Sequence, residues 1–445
     1  MDRRTFLRAA SSFAILLPWA GQKAFAQNQP LYPGPFLLCI HAHGGWDTTM
    51  FFDPKTSYEE KTINRVCLEN GIQTLGPFSY PASVQYRLSP SNPDSLVLHS
   101  PEDFLNRYRS RLLLLNGVDL QTNAHPVGEQ MTWSGHGASE YPSIAALLAI
   151  KASRNFDLPC AYLANNGGYV KTLGLVPLTQ VNDAQRIREI ANQERFPVAG
   201  ATVDLFSEQT SRHIRQANEK RIQHLNQQLS LPESKNALGH YQKALLAKNG
   251  LGPLMDHLPT PTITLNALRP GAGSALNSAL QQAEMALYGF NSGTMASASL
   301  SLGSFDSHSN NDNEQLLRLG YLFVLLEYVL ETAETLGLRD KLTVVVGSDF
   351  SRTPLYNSEN GKDHWNTSSY MLFGPGISGN RVLGATAANQ HPEHVNPTSP
   401  AQRLHKDAGG IVLKPSHVHH ALRRVLGLAE FNSNFGLLDR DIQLF

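Results

Sequence analysis

The sequence predicts an α/β fold with a doubly wound, mainly parallel sheet, helices on both faces and a helical insertion. Apolar runs of strand length recur along the chain, and most of them end in a glycine turn. These runs are continuous rather than alternating, as strands of a sheet covered on both faces require. Segments with helical periodicity separate them, which is the order of an α/β fold. With 41% hydrophobic residues in 445, the chain can bury a large core.

The first 26 residues are typical of a twin-arginine export signal rather than of the fold. Residues 3–7 read RRTFL, an apolar run covers about residues 9–20, and residues 24–26 (AFA) fit a cleavage site. The alternative is an N-terminal membrane anchor, but a span needs about 20 apolar residues. We therefore expect a periplasmic or secreted protein, exported by the twin-arginine machinery, with no stable membrane span in its mature form.

Four apolar runs predict the strands of the sheet. The third is the clearest, because three β-branched valines precede a Gly-Ser-Asp turn. The runs cover residues 35–47, 109–119, 340–350 and 368–379.

Three segments predict helices that pack on this sheet, at residues 143–153, 313–338 and 417–428. Residues 181–250 differ, because they are polar, helical in pattern and only weakly amphipathic. We expect them to form a helical insertion with no strand of its own. The rest of residues 34–445 is expected to be one α/β domain.

Ionisable side chains gather near the ends of the predicted strands. In open α/β sheets, ligands bind at the carboxyl ends of the strands. Carboxylates and imidazoles without thiolates suit a divalent ion such as Zn²⁺, Mn²⁺ or Ca²⁺, which would polarise an ester oxygen or acidify a bound water. The side chains are His41, His43 and Asp47 after the first run, Asp119, Thr122, Asn123 and His125 after the second, Asp306 and His308 before the long helix, Asp349 and Arg352 after the third run, and Asp363 and His364 before the fourth.

Each of these residues also has a purely structural interpretation. Asp306, His308 and Asp349 could cap helices, and His41 and His43 could be hydrogen-bonded core histidines. The motif HVHH at residues 417–420 is a rival metal site, because its first and last histidines share one helix face.

Composition and motifs argue against several other function classes. Lys plus Arg equals Asp plus Glu, at 37 each, and no basic patch with interleaved aromatics indicates nucleic acid. The Gly-rich stretches at residues 165–169 and 373–379 lack the spacing of nucleotide-binding loops. Three cysteines without a C-x-x-C motif give no support to thiolate metal sites, although one disulfide pair is allowed.

Four motifs together carry a family resemblance: HGGWD, FDSHSNNDNEQ, VVVGSDFSRTPLYNSENGKDHW and MLFGPGISG. With the export signal, they resemble an uncharacterised family of exported, sulfatase-like proteins (domain of unknown function 1501), placed in the alkaline phosphatase and sulfatase superfamily. The resemblance covers most of the mature chain and implies an alkaline-phosphatase-like fold with one or two metal ions at the strand ends. It implies these ligands: Asp47, Asp306, His308, Asp349 and His364.

Two departures from the superfamily bear on catalysis. The superfamily often has Asp-His where this chain has Asp349-Phe350, and its nucleophile has no clear match, Thr122 being the nearest residue with His125 close by. The leading prediction is a metal-dependent hydrolase of a phosphate or sulfate ester, small or polysaccharide. Thr122 or a metal-bound water would attack, and Arg352 would bind the oxyanion. The alternatives are a non-catalytic binding or assembly protein that keeps the fold and, with less support, a metal-dependent isomerase or mutase.

Overall fold

The structure is a computed structural model, and it describes residues 31–82, 100–164, 168–181, 195–198, 201–251, 254, 258 and 274–445. The predicted export signal, residues 1–26, lies outside the described residues.

The strands of the described residues are two to seven residues long. They are β1 (Phe36–Ala42), β2 (Ser57–Tyr58), β3 (Lys61–Thr62), β4 (Ile72–Leu75), β5 (Phe78–Pro81), β6 (Leu113–Asp119), β7 (Tyr162–Ala164), β8 (Leu178–Thr179), β9 (Arg195–Val198), β10 (Ala201–Asp204), β11 (Ser297–Leu302), β12 (Leu342–Ser348), β13 (Ser351–Arg352), β14 (His364–Trp365), β15 (Thr367–Phe373), β16 (Arg381–Leu383), β17 (Val395–Asn396) and β18 (Ser399–Arg403).

Eight of these strands form one sheet, in the order β16-β6-β15-β12-β1-β11-β7-β8. Strand β1 lies between β11 and β12 and is parallel to both. Only β15 runs against the others, antiparallel to β12 on one side and to β6 on the other. The predicted α/β fold with a mainly parallel sheet is therefore confirmed.

The helices are α1 (Arg65–Asn70), α2 (Pro101–Tyr108), α3 (His125–Ser134), α4 (Ile144–Ala152), α5 (Glu208–Gln228), α6 (Pro232–Gly250), α7 (Ser274–Asn291), α8 (Asn311–Thr335) and α9 (Pro415–Val425). Helices α7 and α8 pack together, and α3 packs with α4 and α9. Every residue of β1, β12 and β15 is buried, as strands between two helical layers must be. Helices α4, α8 and α9 confirm the three helices predicted from periodicity. Among the described helices, none combines the length and apolarity needed to cross a bilayer.

The direction of β15 differs from what its sequence indicates. Its continuous apolar pattern resembles that of the parallel strands, but it enters the sheet antiparallel between β12 and β6. The start of β15 consequently lies at the edge where its parallel neighbours end. That edge carries the site described below.

The segment 181–250 holds more than helices. Helices α5 and α6 fit the predicted helical insertion, but β9 and β10 form an antiparallel hairpin before them. The expectation of no strand was therefore wrong. Residues 182–194, which the sequence predicts as helical, lie outside the described residues. Elsewhere, all three cysteines are buried and free, so the allowed disulfide pair is not formed.

Candidate metal centre

The candidate site lies at one edge of the large sheet, where several parallel strands end. Residues 43–45 follow β1, Asp306 lies in the loop after β11, and Asp349 follows β12. Helix α3 starts at His125, a few residues after β6. His364 reaches the same edge because the antiparallel β15 begins there.

Gly44 allows the loop after β1 to close onto Asp349 and Asp306. Its φ of +112° is unfavourable for other residues. Its N–H lies 3.1 and 3.2 Å from the two carboxylate oxygens of Asp349. A Cβ atom at this position would lie 2.5 Å from the backbone nitrogen of Asp306, so a side chain does not fit.

Gly128 brings helix α3 against the same loop. A Cβ atom at Gly128 would lie 2.1 Å from the backbone oxygen of Asp349, which cannot move aside as a flexible side chain could. The close approach places His125 and Glu129, one turn apart on α3, next to the Asp349 carboxylate.

Four side chains form what we call the Asp306 cluster: His125, Asp306, His308 and His364. The Nε2 atoms of His308 and His364 lie 3.1 and 3.3 Å from Asp306 Oδ1, and 3.0 Å from one another. His125 Nε2 lies 3.6 Å from Asp306 Oδ2. Asp306 and His308 are 44% and 48% exposed, so solvent reaches the cluster.

In each of these three histidines, Nδ1 faces an oxygen that can only accept a hydrogen bond. With the proton on Nδ1, each of these contacts is a hydrogen bond, and Nε2, which faces the Asp306 carboxylate, then presents a lone pair to a metal ion. The acceptors are the Asp349 carboxylate for His125 (2.6 Å), the Asp363 carboxylate for His308 (3.0 Å) and the Asn123 carbonyl for His364 (2.8 Å).

This arrangement fits a divalent ion. Three lone pairs and a carboxylate facing one another repel, and either protons on Nε2 or a cation between them removes that repulsion. Two ligand atoms about 2.0–2.1 Å from a tetrahedral zinc ion lie about 3.3 Å apart. The contacts in the Asp306 cluster, from 3.0 to 3.6 Å, lie on either side of that value.

The charges around the cluster keep its ligands in the required protonation states. Burial would raise the pKa of Asp306, but the guanidinium of Arg352, whose Nη2 lies 2.7 Å from Oδ1, lowers it overall. The hydrogen bond from His308 lowers the pKa of Asp363. Burial, together with the positive charge of Arg352, lowers the pKa of His364 and favours its neutral form.

A second group, which we call the Asp349 cluster, lies beside the first: His41, His43, Glu129 and Asp349. One ligand atom from each lies within 4.8 Å of the others, so by distance this group could also hold a metal ion. His43 Nδ1 lies 2.9 Å from Glu129 Oε1, and His41 Nε2 lies 3.0 Å from Asp349 Oδ1.

Both carboxylates of the Asp349 cluster are strongly acidic. Burial would raise the pKa of Glu129, but His41 and His43 lower it to about 2. Burial likewise opposes the ionisation of Asp349, yet His41, His125 and the Gly44 N–H hold its pKa well below the ordinary value. Burial lowers the pKa of His41, but these carboxylates raise it to about 9.

Asp47, predicted as a metal ligand, lies outside both clusters. It is buried, and its Oδ2 accepts hydrogen bonds from Lys362 Nζ at 2.7 Å and Asn311 Nδ2 at 3.0 Å. Its Oδ1 accepts from the N–H and hydroxyl of Thr49. The Lys362 ammonium supplies the positive charge that a metal ion would otherwise provide.

Of the three residues predicted to act in catalysis, His125 lies in the Asp306 cluster, and the other two have structural contacts. Arg352 is buried, and its guanidinium donates to the backbone oxygens of Gly44, Gly45 and Lys362 and to Asp306. It is therefore not free to bind a substrate oxyanion. Thr122 Oγ1 accepts a hydrogen bond from the Ala124 N–H, as in the turn before a helix.

Sequence reasoning missed Glu129 altogether, because it missed helix α3. The stretch HPVGEQMTWS is only weakly amphipathic and contains a glycine. Proline near its start and Gly135 in the left-handed conformation at its end were the available signals. His41 and His43 were noticed but not included among the predicted ligands.

The histidines of the HVHH motif make hydrogen bonds to the backbone and do not point toward a common metal position. His417 Nδ1 accepts a hydrogen bond from the Lys414 N–H, and His420 Nε2 lies 2.8 Å from the Asp439 backbone oxygen. Neither belongs to a metal-binding group among the described residues.

A family model described as "Protein of unknown function (DUF1501)" matches residues 36–409. The chain belongs to this family. The match confirms the resemblance carried by the four sequence motifs. No curated protein matches the sequence.

Solved structures with a distant likeness include three enzymes. The alkaline phosphatase from the Antarctic bacterium TAB5 is 10% identical, with 89% of this chain and 99% of that chain covered and a TM-score of 0.35. The lipoteichoic acid synthase LtaP from Listeria monocytogenes is 7% identical, with 97% of this chain and 99% of that chain covered and a TM-score of 0.35. The PsFucS1 sulfatase from Pseudoalteromonas sp. is 9% identical, with 87% of this chain and 70% of that chain covered and a TM-score of 0.34. These likenesses are too distant to bear on function.

Proposed function

We propose that this protein is an exported, metal-dependent hydrolase of a phosphate or sulfate ester, with the Asp306 cluster as its metal centre. One observation carries the proposal: three imidazole nitrogens lie 3.1 to 3.6 Å from the oxygens of one carboxylate, and an oxygen acceptor at each Nδ1 favours the tautomer that binds metal. Imidazole-rich ligand sets favour zinc over manganese or calcium.

The charge of the site supports a bound cation. Four carboxylates meet at this edge, from Glu129, Asp306, Asp349 and Asp363, and among the described residues Arg352 is the one guanidinium that contacts them. An anionic ester would be repelled by this set. A divalent ion removes the repulsion and, when bound, polarises an ester oxygen.

The chain's own residues would then orient the ligands and exchange protons. Arg352 holds Asp306 in place through its 2.7 Å contact. His43 is half exposed and hydrogen-bonded to Glu129, so it can pass a proton between this edge and water. The solvent-facing side of Asp306 and His308 would admit a small ester or the end of a polysaccharide.

The test is elemental analysis and an ester-hydrolysis panel on the protein and on an Asp306→Ala/His308→Ala variant. We expect a bound transition metal and hydrolysis of a phosphate or sulfate ester, both lost in the variant. The matched control is His405→Ala/Asp407→Ala, an exposed pair of the same residue types two positions apart. Unchanged metal content and hydrolysis in the Asp306 variant would refute the proposal.

A second candidate, a non-catalytic binding or assembly protein, is favoured by one observation. Of the side chains predicted to attack or to bind the oxyanion, Thr122 stabilises a turn and Arg352 is fully engaged. The two functions differ in turnover. A protein that binds metal stoichiometrically and hydrolyses no ester on the panel would be this second candidate.

Export through the twin-arginine machinery is part of the proposal. Its basis is the sequence of residues 1–26. An Arg3→Lys/Arg4→Lys variant should accumulate in the cytoplasm of a bacterial host, while the unchanged protein reaches the periplasm. Periplasmic recovery of both in equal amounts would contradict this route.

A further inference from the structure

His41 is the most deeply buried imidazole at the site, and its two nitrogens have opposite kinds of neighbour. The side chain is 1% exposed. Its Nδ1 accepts a hydrogen bond from the indole Nε1–H of Trp133 at 3.1 Å. Its Nε2 faces the carboxylates of Asp349 and Glu129, at 3.0 and 3.6 Å.

The indole N–H of Trp133 can donate a hydrogen bond but cannot accept one. His41 Nδ1 must therefore present its lone pair to Trp133, and the imidazole proton lies on Nε2. A ligand of a metal ion must instead present a lone pair at Nε2. That would move the proton to Nδ1, where two N–H groups would face one another.

The neighbouring carboxylates favour a proton on Nε2 in the same way. Neither contact of Nε2 has the geometry of a hydrogen bond, so the carboxylates act on this proton through their charge. They would also favour a doubly protonated imidazolium. That form, which the raised pKa of His41 favours, needs a proton on Nδ1 against the Trp133 N–H. Because the 3.1 Å contact requires a lone pair on Nδ1, we assign the neutral form.

His43 contacts Glu129 on the solvent side of the Asp349 cluster. Its Nδ1 lies 2.9 Å from the ionised carboxylate of Glu129, which can only accept. The nitrogens that face the two carboxylates of the Asp349 cluster therefore both carry protons. N–H groups, rather than a cation, balance the negative charge of this cluster.

We propose that Trp133 fixes the His41 proton on Nε2, so that the Asp349 cluster supports His125 and does not bind metal. Asp349 accepts from His125 Nδ1 at 2.6 Å and thereby orients His125 Nε2 toward Asp306. His41 and Trp133 are positioning residues behind that carboxylate. Each chain then binds one divalent ion, in the Asp306 cluster, and this last point rests on the proposed function.

The tautomer is tested in metal-free protein labelled with ¹⁵N-histidine, by two-bond ¹H–¹⁵N correlation spectra. The His41 signals are assigned by their loss in a His41→Gln variant. We expect protonated Nε2 and unprotonated Nδ1 for His41, and a protonated Nδ1 for His125, His308 and His364. A Trp133→Phe variant should shift His41 toward a tautomer mixture. A proton on Nδ1 of His41 in the unchanged protein would overturn the assignment.

The stoichiometry is tested by titrating the metal-free protein with Zn²⁺ and measuring bound zinc after gel filtration. We expect one equivalent in the unchanged protein, one in Glu129→Gln and none in Asp306→Ala/His308→Ala. Two equivalents, with one lost in Glu129→Gln, would overturn the single-ion proposal. No zinc in any protein, together with the expected His41 tautomer, would refute the proposed metal function but support the role of Trp133.

Discussion

The two clusters at the sheet edge both combine histidines with carboxylates but differ in the groups that contact the far side of their histidines. Behind the Asp306 cluster, every Nδ1 meets an oxygen acceptor, and the Nε2 lone pairs converge on one carboxylate. Behind the Asp349 cluster, His41 meets the N–H of Trp133, and its proton faces the carboxylates. Distance alone marks both as candidate metal sites. The chemistry of the outer neighbour distinguishes them, because it selects the tautomer.

The largest expected effect separates the two clusters directly. His364→Ala removes a lone pair from the Asp306 cluster and should lower zinc affinity by at least about 100-fold, since even outer-shell losses cost about 10–100-fold. His43→Ala alters the other cluster at a more exposed position and should change the affinity by less than about 3-fold. Competition with a chromophoric chelator measures both. Equal losses in the two variants would mean that the clusters act as one site.

The second effect tests whether the clusters depend on the close approach of helix α3. Gly128→Ala should lower the free energy of unfolding by about 2–3 kcal/mol, because the new Cβ would overlap the Asp349 backbone oxygen. Gly239→Ala in helix α6 is the matched control. Nothing lies within 4 Å of its Cβ position, and the better helix propensity of alanine should stabilise by up to about 1 kcal/mol. Urea unfolding measures both, and a neutral Gly128→Ala would contradict the close packing.

The third effect is a loss of folding stability at low pH. Since the folded protein lowers the pKa of Glu129 from 4.5 to about 2, the ionised carboxylate stabilises the fold fully above pH 4.5. That contribution should disappear as the pH falls toward 2, with a loss of about 2–3 kcal/mol. Glu129→Gln should flatten this part of the pH profile in metal-free protein. Parallel profiles for the two proteins would show that Glu129 is not held by His41 and His43 as described.

The smallest effect tests an outer neighbour of the Asp306 cluster. Asp363→Ala removes the acceptor that fixes the tautomer of His308, and zinc affinity should fall by about 10-fold. Asp363→Asn keeps a carbonyl acceptor and should lose less. If both variants bind zinc like the unchanged protein, His308 is not a ligand.

Much of the fold follows from patterns within short segments. Continuous apolar runs located β1, β6, β12 and β15, and helical periodicity located α4, α8 and α9. Helix α3 was missed because its sequence is weakly amphipathic and contains Gly128, and Glu129 was missed with it. The glycine that weakens the helix pattern is the residue that lets α3 reach Asp349.

Some residues of the candidate site could likewise be found from the sequence, whereas the position of others depended on tertiary contacts. Asp306, His308, Asp349 and His364 were found from their positions next to strands, and the structure brings all four to one edge. His364 reaches that edge only because β15 runs antiparallel, since a parallel strand would place it at the opposite end of the sheet. Asp47 satisfied the same positional rule, but Lys362, more than 300 positions away, pairs with it.

By itself, the sequence determined the α/β class, the positions of the main strands and helices, the family motifs and the types of side chain near the strand ends. These properties depend on burial periodicity and on residues close together in the chain. Only the tertiary structure decided the direction of β15, the ion pair of Asp47 and the contact between Trp133 and His41. Strand direction, charge pairing and tautomer depend on groups distant in the chain, and no local pattern records which of them will meet.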